Sequence, residues 1–220
     1  GEMAEYHLDT GGKRLRALIP LAAYEALGGH PEDAIPIASA CELLHNATLI
    51  HDDVQDGDET RRGRPTVWAR WGIAQAINLG DAMTAWAATC ILETPCEDTL
   101  RSGLAGMFHY TMAAIAAGQT ADACLQSGES PTVEAWYDVA EAKTGALFGL
   151  CFGAPAALAG APEDAHRALL GAARHLGIIF QLQDDLMDLY GGEGGQATGG
   201  DLREGKMTLP LIHALRLSRP

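Results

Sequence analysis

Apolar residues recur at helical spacing along most of the chain, and runs of β-branched residues are scarce, which favours helices over strands. Gly-rich or Pro-containing connections separate the periodic segments. Helices are predicted over residues 15–28, 32–57, 69–94, 98–125, 132–160, 164–190 and 207–217. No repeat or change of composition marks a second domain, so residues 1–220 are predicted to form one all-α domain, a bundle of long helices. The stretch 191–200, with six glycines in ten residues, is predicted to be a mobile loop.

Composition and charge narrow the functional class. With 220 residues, 47% of them hydrophobic, the chain is long enough to bury a sizeable core. Its net charge of -14 argues against nucleic acid as a partner, because a phosphate backbone attracts basic proteins. The five cysteines are scattered without a C-x-x-C pair, so we expect buried thiols in a reducing compartment and a cytoplasmic protein. Two uncharged stretches, 103–121 and 144–162, contain polar residues or proline, so no transmembrane segment is predicted.

Acidic residues cluster at the end of the helix predicted over 32–57, in the sequence HDDVQDGDETRRGRP. The helix dipole disfavours anions at this end, so the cluster needs an explanation. The same D-D-x-x-D spacing returns in FQLQDDLMDLY, again at the end of an apolar helix. Residues four apart share a helix face, so each copy brings carboxylates to one point. The two sets are Asp52, Asp53 and Asp56 in the first motif, and Asp184, Asp185 and Asp188 in the second.

A divalent cation accounts for two such carboxylate groups. Small groups of carboxylates suit Mg²⁺, which keeps several waters and completes its shell with phosphate oxygens of a substrate. A calcium loop starting at Asp52 fails, because Val54 and Gly63 occupy its third and twelfth positions. A solvated helix end remains the alternative for either motif taken alone. His51 is not expected to bind the metal, since Mg²⁺ prefers oxygen. The pattern therefore predicts a phosphorylated substrate.

Two clusters of basic residues support this prediction. In a chain with 15 lysines and arginines, three lie in GGKRLR and three in RRGR. Arginine binds phosphate through two parallel hydrogen bonds and stays charged, so clusters beside a metal site indicate a diphosphate clamp. Charge balance with nearby acids explains Arg64 equally well but explains the first cluster poorly. The clusters are Lys13, Arg14 and Arg16, and Arg61, Arg62 and Arg64.

With these motifs together, the sequence resembles the trans-isoprenyl diphosphate synthases, the family of farnesyl, geranylgeranyl and longer polyprenyl diphosphate synthases. The resemblance runs in the family's order through GGKRLR, LIHDDVQDGDETRRGRPT, GDA, GQTAD, AKTGALF, FQLQDDLMDL and DLREGKMTLPLIHAL. It implies the isoprenoid synthase fold, an all-helical bundle around a deep central cavity. It also implies that the two aspartate motifs face each other across the mouth of the cavity, and usually a homodimer.

The resemblance implies a role for each matching position. The six motif aspartates resemble the ligands of three Mg²⁺ ions that hold the allylic diphosphate, with Asp188 acting partly through water. Further allylic contacts are implied for Arg61, Lys143 and Gln181, and Lys143 with Thr144 resembles the pair beside the developing allylic cation. Isopentenyl diphosphate is expected to contact Gly12, Lys13, Arg16, His45 and Arg62. The residues expected to carry the reaction are Asp52, Asp53, Lys143, Thr144, Gln181 and Asp184.

The implied reaction is the condensation of isopentenyl diphosphate with an allylic diphosphate. Mg²⁺ and cationic side chains neutralise the leaving diphosphate, the allylic C–O bond ionises, and the C=C bond of isopentenyl diphosphate attacks the cation. Two rivals stay open: a class I terpene cyclase on the same fold, and a non-catalytic subunit of a heteromeric synthase. A cyclase has no use for an isopentenyl diphosphate site, and a subunit has no need of six clustered carboxylates.

The chain departs from the family pattern at identifiable places. Gln196 stands where the family commonly has a lysine that contacts the allylic diphosphate, and Lys206 nearby is expected to compensate in part. The family's first and last helices are not found in residues 1–220, so we expect a fragment or a shortened enzyme. Residues four and five before Asp52, Thr48 and Ala47, are small where aromatic residues stop elongation at farnesyl. The expected product is therefore geranylgeranyl diphosphate or a longer one.

Overall fold

The computed structural model describes residues 1–127, 131–191 and 199–218. The chain divides into two compact units, Gly1–Phe108 with Leu150–His166, and His109–Gly149 with Arg167–Pro220. Nearly all regular structure in the described residues is helical, which confirms the predicted all-α class. Each unit contains one of the two aspartate motifs.

Long helices account for most of the described residues, and a two-stranded hairpin adds a short exception. The helices are α1 (Glu2–Leu8), α2 (Leu15–Ala26), α3 (Ile35–Asp56), α4 (Val67–Trp71), α5 (Ile73–Leu92), α6 (Asp98–Ser127), α7 (Val133–Ala140), α8 (Ala146–Leu158), α9 (Glu163–Tyr190), α10 (Gly200–Glu204) and α11 (Leu209–Ser218). The strands are β1 (Thr60–Arg61) and β2 (Arg64–Pro65). A 3₁₀ turn (Pro31–Ala34) precedes α3, and a π-helical turn (Glu141–Gly145) joins α7 to α8.

The predicted helices are present, but three of them are divided. The segment 32–57 begins with the 3₁₀ turn, and the segment 69–94 breaks at Gly72, whose φ of 87° ends α4 before α5 begins. The segment 132–160 contains the π-helical turn. The short helices α1 and α10 and the hairpin were not predicted. Of the predicted loop 191–200, residues 192–198 lie outside the described residues.

In the first unit, α3 and the hairpin after it position the first aspartate motif. Helix α3 ends at Asp56 because Gly57 adopts a left-handed conformation with φ of 73°. Strand β1 begins three residues after Gly57, and the chain then turns back on itself, with Arg61 paired to Arg64 across the antiparallel strands. The two residues of the turn, Arg62 and Gly63, both have positive φ, as a two-residue hairpin turn of type I′ requires.

Helix α1 holds this hairpin from outside. The hydroxyl of Tyr6 donates to the carbonyl of Pro65 at 2.8 Å, and the guanidinium of Arg64 lies 4.3 Å above the Tyr6 ring. Such a cation–π contact at a partly exposed site stabilises by about 0.5–1 kcal/mol. Helix α1 therefore contacts the hairpin at strand β2, directly after the turn.

The second unit has a core of its own in which the chain after residue 199 takes part. Leu125 of α6, Trp136 of α7 and Ile212 of α11 belong to one buried cluster. Met207 and Leu209, on either side of the α11 start, pack against that cluster while staying partly exposed. The segment that leads into α11 is thus packed against α6 and α7.

All five cysteines lie in the described residues and are free thiols, but the prediction that they are buried holds only for Cys41 and Cys151. Cys90 and Cys96 are partly buried and Cys124 is exposed, because it lies on the outer face of its helix. Among the helices of residues 1–127, 131–191 and 199–218, none combines the length and apolar character that crossing a membrane requires.

Candidate functional site

The three aspartates of the first motif have different surroundings. Asp52 and Asp56 lie on the outer part of the last turn of α3, whereas Asp53 is only 1% exposed. The Nε of Arg61 donates to Oδ1 of Asp53 at 2.7 Å, so two residues predicted to act separately form one ion pair. Burial raises the pKa of Asp53 to about 6, although Arg61 opposes the rise, and the nearby carboxylate of Asp58 adds to it.

The second carboxylate oxygen of Asp53 shows whether a cation would be favourable at this end of α3. Oδ2 is buried, and no described residue donates a hydrogen bond to it. A buried acceptor without a donor is costly, and a cation would satisfy it. Asp52 precedes it in sequence and Asp56 lies one helical turn later, so the donor set consists of carboxylate oxygens, which hard divalent cations prefer. The donor chemistry at this end of α3 therefore suits Mg²⁺, with Asp53 Oδ2 as the oxygen that lacks a donor.

A group of arginines surrounds the loop before α2 and the hairpin turn in the same unit. Arg62 donates to the carbonyl of Gly11, and a Cβ on Gly12 would lie 2.8 Å from Nη1 of Arg62. A side chain at position 12 would push this guanidinium aside, and the φ of 126° at Gly12 is also one that favours glycine. Arg14 forms an ion pair with Glu42 at 3.0 Å.

Among the described non-glycine residues, the two with positive φ are Arg14 and Arg62. Such conformations cost about 1 kcal/mol or more and tend to cluster at functional sites. Both lie in the two basic clusters that the sequence assigns to diphosphate binding. The backbone is therefore strained at the two places where guanidinium groups are brought together.

Two histidines, the buried His7 and the partly buried His45, lie close to the positive charge of this region. Burial, with further contributions from Arg16, Arg62 and Arg61, lowers the pKa of His45 to about 3. Burial and then Arg61 and Arg62 lower the pKa of His7 to about 4. Both imidazoles are neutral at physiological pH, so they add no charge to the arginine group. His45 was predicted from the sequence, whereas His7 was not.

In the second unit the middle aspartate of the motif is again the buried one. Asp185 is 5% exposed, and its Oδ2 accepts from Nε1 of Trp136 and from the backbone N–H of Leu209, both at 3.0 Å. Its Oδ1 accepts from Nε2 of Gln181 at 3.2 Å. Burial raises the pKa of Asp185, while the donors from Leu209, Gln181 and Trp136 oppose the rise. Asp185 therefore holds three protein donors.

The other aspartates of the second motif differ from Asp185. Asp184 is exposed on α9, whereas Asp188 accepts the backbone N–H groups of Gly200 at 3.1 Å and Asp201 at 3.0 Å. Asp188 thus caps the start of α10. The ammonium of Lys206 lies 3.5 Å from the carboxylate of Asp201, so this predicted substrate contact is paired with an acid.

The predicted pair Lys143 and Thr144 lies in the π-helical turn of the second unit. Nζ of Lys143 contacts Oδ2 of Asp122 at 3.3 Å, and Oγ1 of Thr144 donates to Oε1 of Gln181 at 2.9 Å. Single π-helical turns inside α-helices often mark functional sites. The structure thus brings Thr144, Gln181 and Asp185 into one hydrogen-bonded series.

Residues just before the first motif have distinct positions. Thr48 is partly exposed, but Ala47 is 1% exposed and belongs to a core cluster with Ile50, Val67 and Met83. A larger side chain at position 47 would have to displace that cluster. His51 packs so closely on Gly80 of α5 that a Cβ there would lie 2.2 Å from Nε2.

The sequence reasoning missed several residues that hold these groups in place, notably Asp122, Gln126, Trp136 and His7. An i, i+4 pair in GQTADACLQ, Asp122 with Gln126, is the signal that was available. Within the described part of the chain, no group of three or more His, Cys, Asp or Glu side chains is arranged to hold a metal ion by itself. Gln196 lies outside the described residues.

Comparison with known proteins agrees with the motifs. The family model described as polyprenyl synthetase matches residues 1–220. The chain is 39% identical to a geranylgeranyl diphosphate synthase of Mycobacterium tuberculosis, over 97% of this chain and 64% of that protein. It is also 39% identical to a (2E,6E)-farnesyl diphosphate synthase of Mycobacterium bovis, over 91% of this chain and 56% of that protein. The chain therefore spans less than two thirds of the length of these relatives.

Solved structures show the same likeness. The geranylgeranyl pyrophosphate synthetase from the archaeon Geoglobus acetivorans superposes with a TM-score of 0.92 at 35% identity, over 99% of this chain and 69% of that one. Relatives at equal identity carry names that differ in product length, so identity alone does not select the product.

Proposed function

Because the chain belongs to the polyprenyl synthetase family, we propose that it acts as a Mg²⁺-dependent trans-prenyltransferase. The reaction is the condensation of isopentenyl diphosphate with an allylic diphosphate, and the product is geranylgeranyl diphosphate or a longer trans-prenyl diphosphate. One observation carries the proposal. A group of guanidiniums, strained into place around Gly12 and the hairpin turn, adjoins a buried carboxylate that is paired with Arg61.

Carboxylates beside cationic side chains suit a diphosphate that is bound through a metal ion, because the carboxylates hold the metal and the cations bind the phosphate oxygens. When bound, Mg²⁺ supplies positive charge that neutralises the leaving diphosphate. The six motif aspartates are proposed to hold it, with three ions in all. A carboxylate offers about four lone-pair positions, so Asp185, which already accepts three donors, is the poorest ligand of the six. Asp52, Asp53 and Asp184 are the strongest candidates.

The chain's own residues have separable tasks in this reaction. Lys13, Arg16 and Arg62, with Gly12 and His45, are proposed to bind the diphosphate of isopentenyl diphosphate. Because the hydroxyl of Thr144 donates to Gln181, the lone pairs of its oxygen remain available to the allylic carbon as positive charge develops there. Lys143, Arg61 and Lys206 are proposed to neutralise the allylic diphosphate.

The bond changes balance without a protein nucleophile. The allylic C–O bond breaks, and a C–C bond forms from the terminal carbon of the isopentenyl double bond, which leaves a cation on the branched carbon. A proton then leaves C2, the carbon between that cation and the carbon bearing the diphosphate, so that a new double bond forms. The departing diphosphate is proposed to accept this proton. We further propose that two copies of the chain associate, which sedimentation at twice the 23.2 kDa chain mass would support.

The test combines product analysis with substitution of each motif. Incubation with labelled isopentenyl diphosphate, Mg²⁺ and each allylic primer should give products of geranylgeranyl length or longer. Asp52→Ala and Asp184→Ala should each lower turnover by at least about 100-fold, because each leaves charge on the leaving group less well neutralised. Asp33→Ala, at an exposed aspartate of the 3₁₀ turn, is the matched control.

Three outcomes would contradict the proposal. Near-normal turnover of either motif variant at saturating Mg²⁺ would remove the assigned role of the aspartates. Cyclic hydrocarbon products would identify a cyclase. Activity that appears only after a second, different subunit is added would indicate a non-catalytic subunit.

A further inference from the structure

Two series of hydrogen-bonded side chains in the second unit begin at neighbouring residues of the π-helical turn. The first starts at Lys143, whose Nζ lies 3.3 Å from Oδ2 of Asp122. The other oxygen of Asp122 accepts from Nε2 of Gln126 at 2.9 Å. Oε1 of Gln126 in turn accepts the backbone N–H of Met207 at 2.5 Å.

The second series starts at Thr144 and ends at Leu209, two residues after Met207, where the first series ends. It passes from Thr144 to Gln181 at 2.9 Å and from Gln181 to Asp185 at 3.2 Å. Asp185 then accepts the backbone N–H of Leu209 at 3.0 Å. Lys143 is thereby connected to the backbone of Met207, and its neighbour Thr144 to the backbone of Leu209.

We propose that Gln126 is a positioning residue that fixes Lys143 through Asp122 and holds the segment 206–209 in register with the π-helical turn. This inference rests on the proposed function, since Lys143 and Lys206 are its candidate allylic contacts. Gln126 acts through other groups and is not expected to touch substrate.

The amide of Gln126 suits this task better than other side chains of its length. It donates to a carboxylate with one end and accepts a backbone N–H with the other. Glutamate keeps the acceptor but loses the donor and places a second negative charge beside Asp122. Leucine loses both. Comparing the two substitutions therefore separates the effect of the hydrogen bond to Asp122 from that of the hydrogen bond from Met207.

The kinetic expectation is a difference between the two substrates. Gln126→Leu should raise the Michaelis constant for the allylic diphosphate about five- to tenfold, the scale of one lost hydrogen bond beside a charged group. The constant for isopentenyl diphosphate should change less than about twofold, because its proposed contacts lie in the first unit. Gln126→Glu should raise the allylic constant by a similar factor, since the added carboxylate competes for Lys143.

Amide hydrogen exchange at Met207 and Leu209, followed by NMR, gives a second readout that needs no turnover. Gln126→Leu should expose the Met207 amide to exchange, while the Leu209 amide stays protected by Asp185. In Gln126→Glu the Met207 amide should remain protected. Gln75→Leu, at an exposed glutamine of α5, is the matched control and should change neither readout.

Either of two results would overturn the inference. The first is a Met207 amide that stays protected in Gln126→Leu. The second is a rise of both Michaelis constants by the same factor, which would indicate general damage to the fold. Failure of the proposed function is distinguishable, since the unsubstituted protein would then form no product while the exchange pattern would be unaffected.

Discussion

At the scale of single residues, the two neutral histidines of the first unit make stability depend on pH. The pKa of His7 is lowered to about 4 and that of His45 to about 3, by burial first and by neighbouring arginines second. An unfolded histidine binds a proton near pH 6.5, while the folded one does not. The free energy of unfolding therefore decreases as pH falls below about 6.5, by up to about 1.4 kcal/mol per pH unit for each histidine.

The variant His7→Asn tests this linkage. Urea unfolding between about pH 7 and about pH 5 should show a shallower loss of stability in the variant, by up to about 1.4 kcal/mol per pH unit. The raised pKa of Asp53 acts in the opposite direction, since protonation below about pH 6 favours the folded state. Asp53 is present in both proteins, so their difference isolates His7. His30→Asn replaces an exposed histidine and serves as control. Parallel pH profiles for His7→Asn and the unsubstituted protein would contradict the linkage.

At the scale of elements, the π-helical turn is held between two glycines of neighbouring helices. A Cβ on Gly118 of α6 would lie 2.6 Å from the backbone nitrogen of Lys143. A Cβ on Gly177 of α9 would lie 2.4 Å from the Cα of Gly145. Both obstacles are backbone atoms, which have little freedom to move. The turn that carries Lys143 and Thr144 is therefore fixed by contact on two faces.

Gly177→Ala should consequently displace this turn. We expect a loss of about 1–3 kcal/mol in the free energy of unfolding, together with a fall in turnover. Gly171→Ala is the matched control on the same helix, because a Cβ there meets nothing within 4 Å. That substitution should stabilise by about 0.5–1 kcal/mol, since alanine favours helix over glycine. A Gly177→Ala protein with unchanged melting temperature and rate would show that the turn is free to shift.

The same elements show how far the sequence predicts the structure. Apolar periodicity predicts the long helices because each buries a continuous face along the chain. It does not predict the π-helical turn, which keeps helical spacing in sequence and depends on Gly118 and Gly177, distant in the chain. The D-D-x-x-D spacing predicts the two carboxylate motifs but does not distinguish the three aspartates within each. The burial of Asp53 and Asp185 separates them, and burial depends on contacts that no local pattern records.

At the scale of the whole molecule, the few cations of an acidic chain are distributed unequally. The net charge is -14, with 15 lysines and arginines. The first unit has both basic clusters, including Arg62, which contacts a carbonyl. The predicted allylic cations of the second unit, Lys143 and Lys206, each lie within 3.5 Å of an aspartate. Their charge is therefore partly neutralised before any diphosphate arrives.

The resemblance to the family implies a further lysine at the position of Gln196, so Gln196→Lys should add one cation to the second unit. Binding of the allylic diphosphate should tighten by about 1–3 kcal/mol, the scale of a hydrogen bond between charged groups. Binding of isopentenyl diphosphate should stay unchanged, because its proposed contacts belong to the first unit. Gln75→Lys adds the same charge elsewhere and controls for the smaller net charge, which weakens repulsion of any anion. Equal allylic affinity before and after Gln196→Lys would mean that Lys206, despite its pairing with Asp201, already supplies the missing charge.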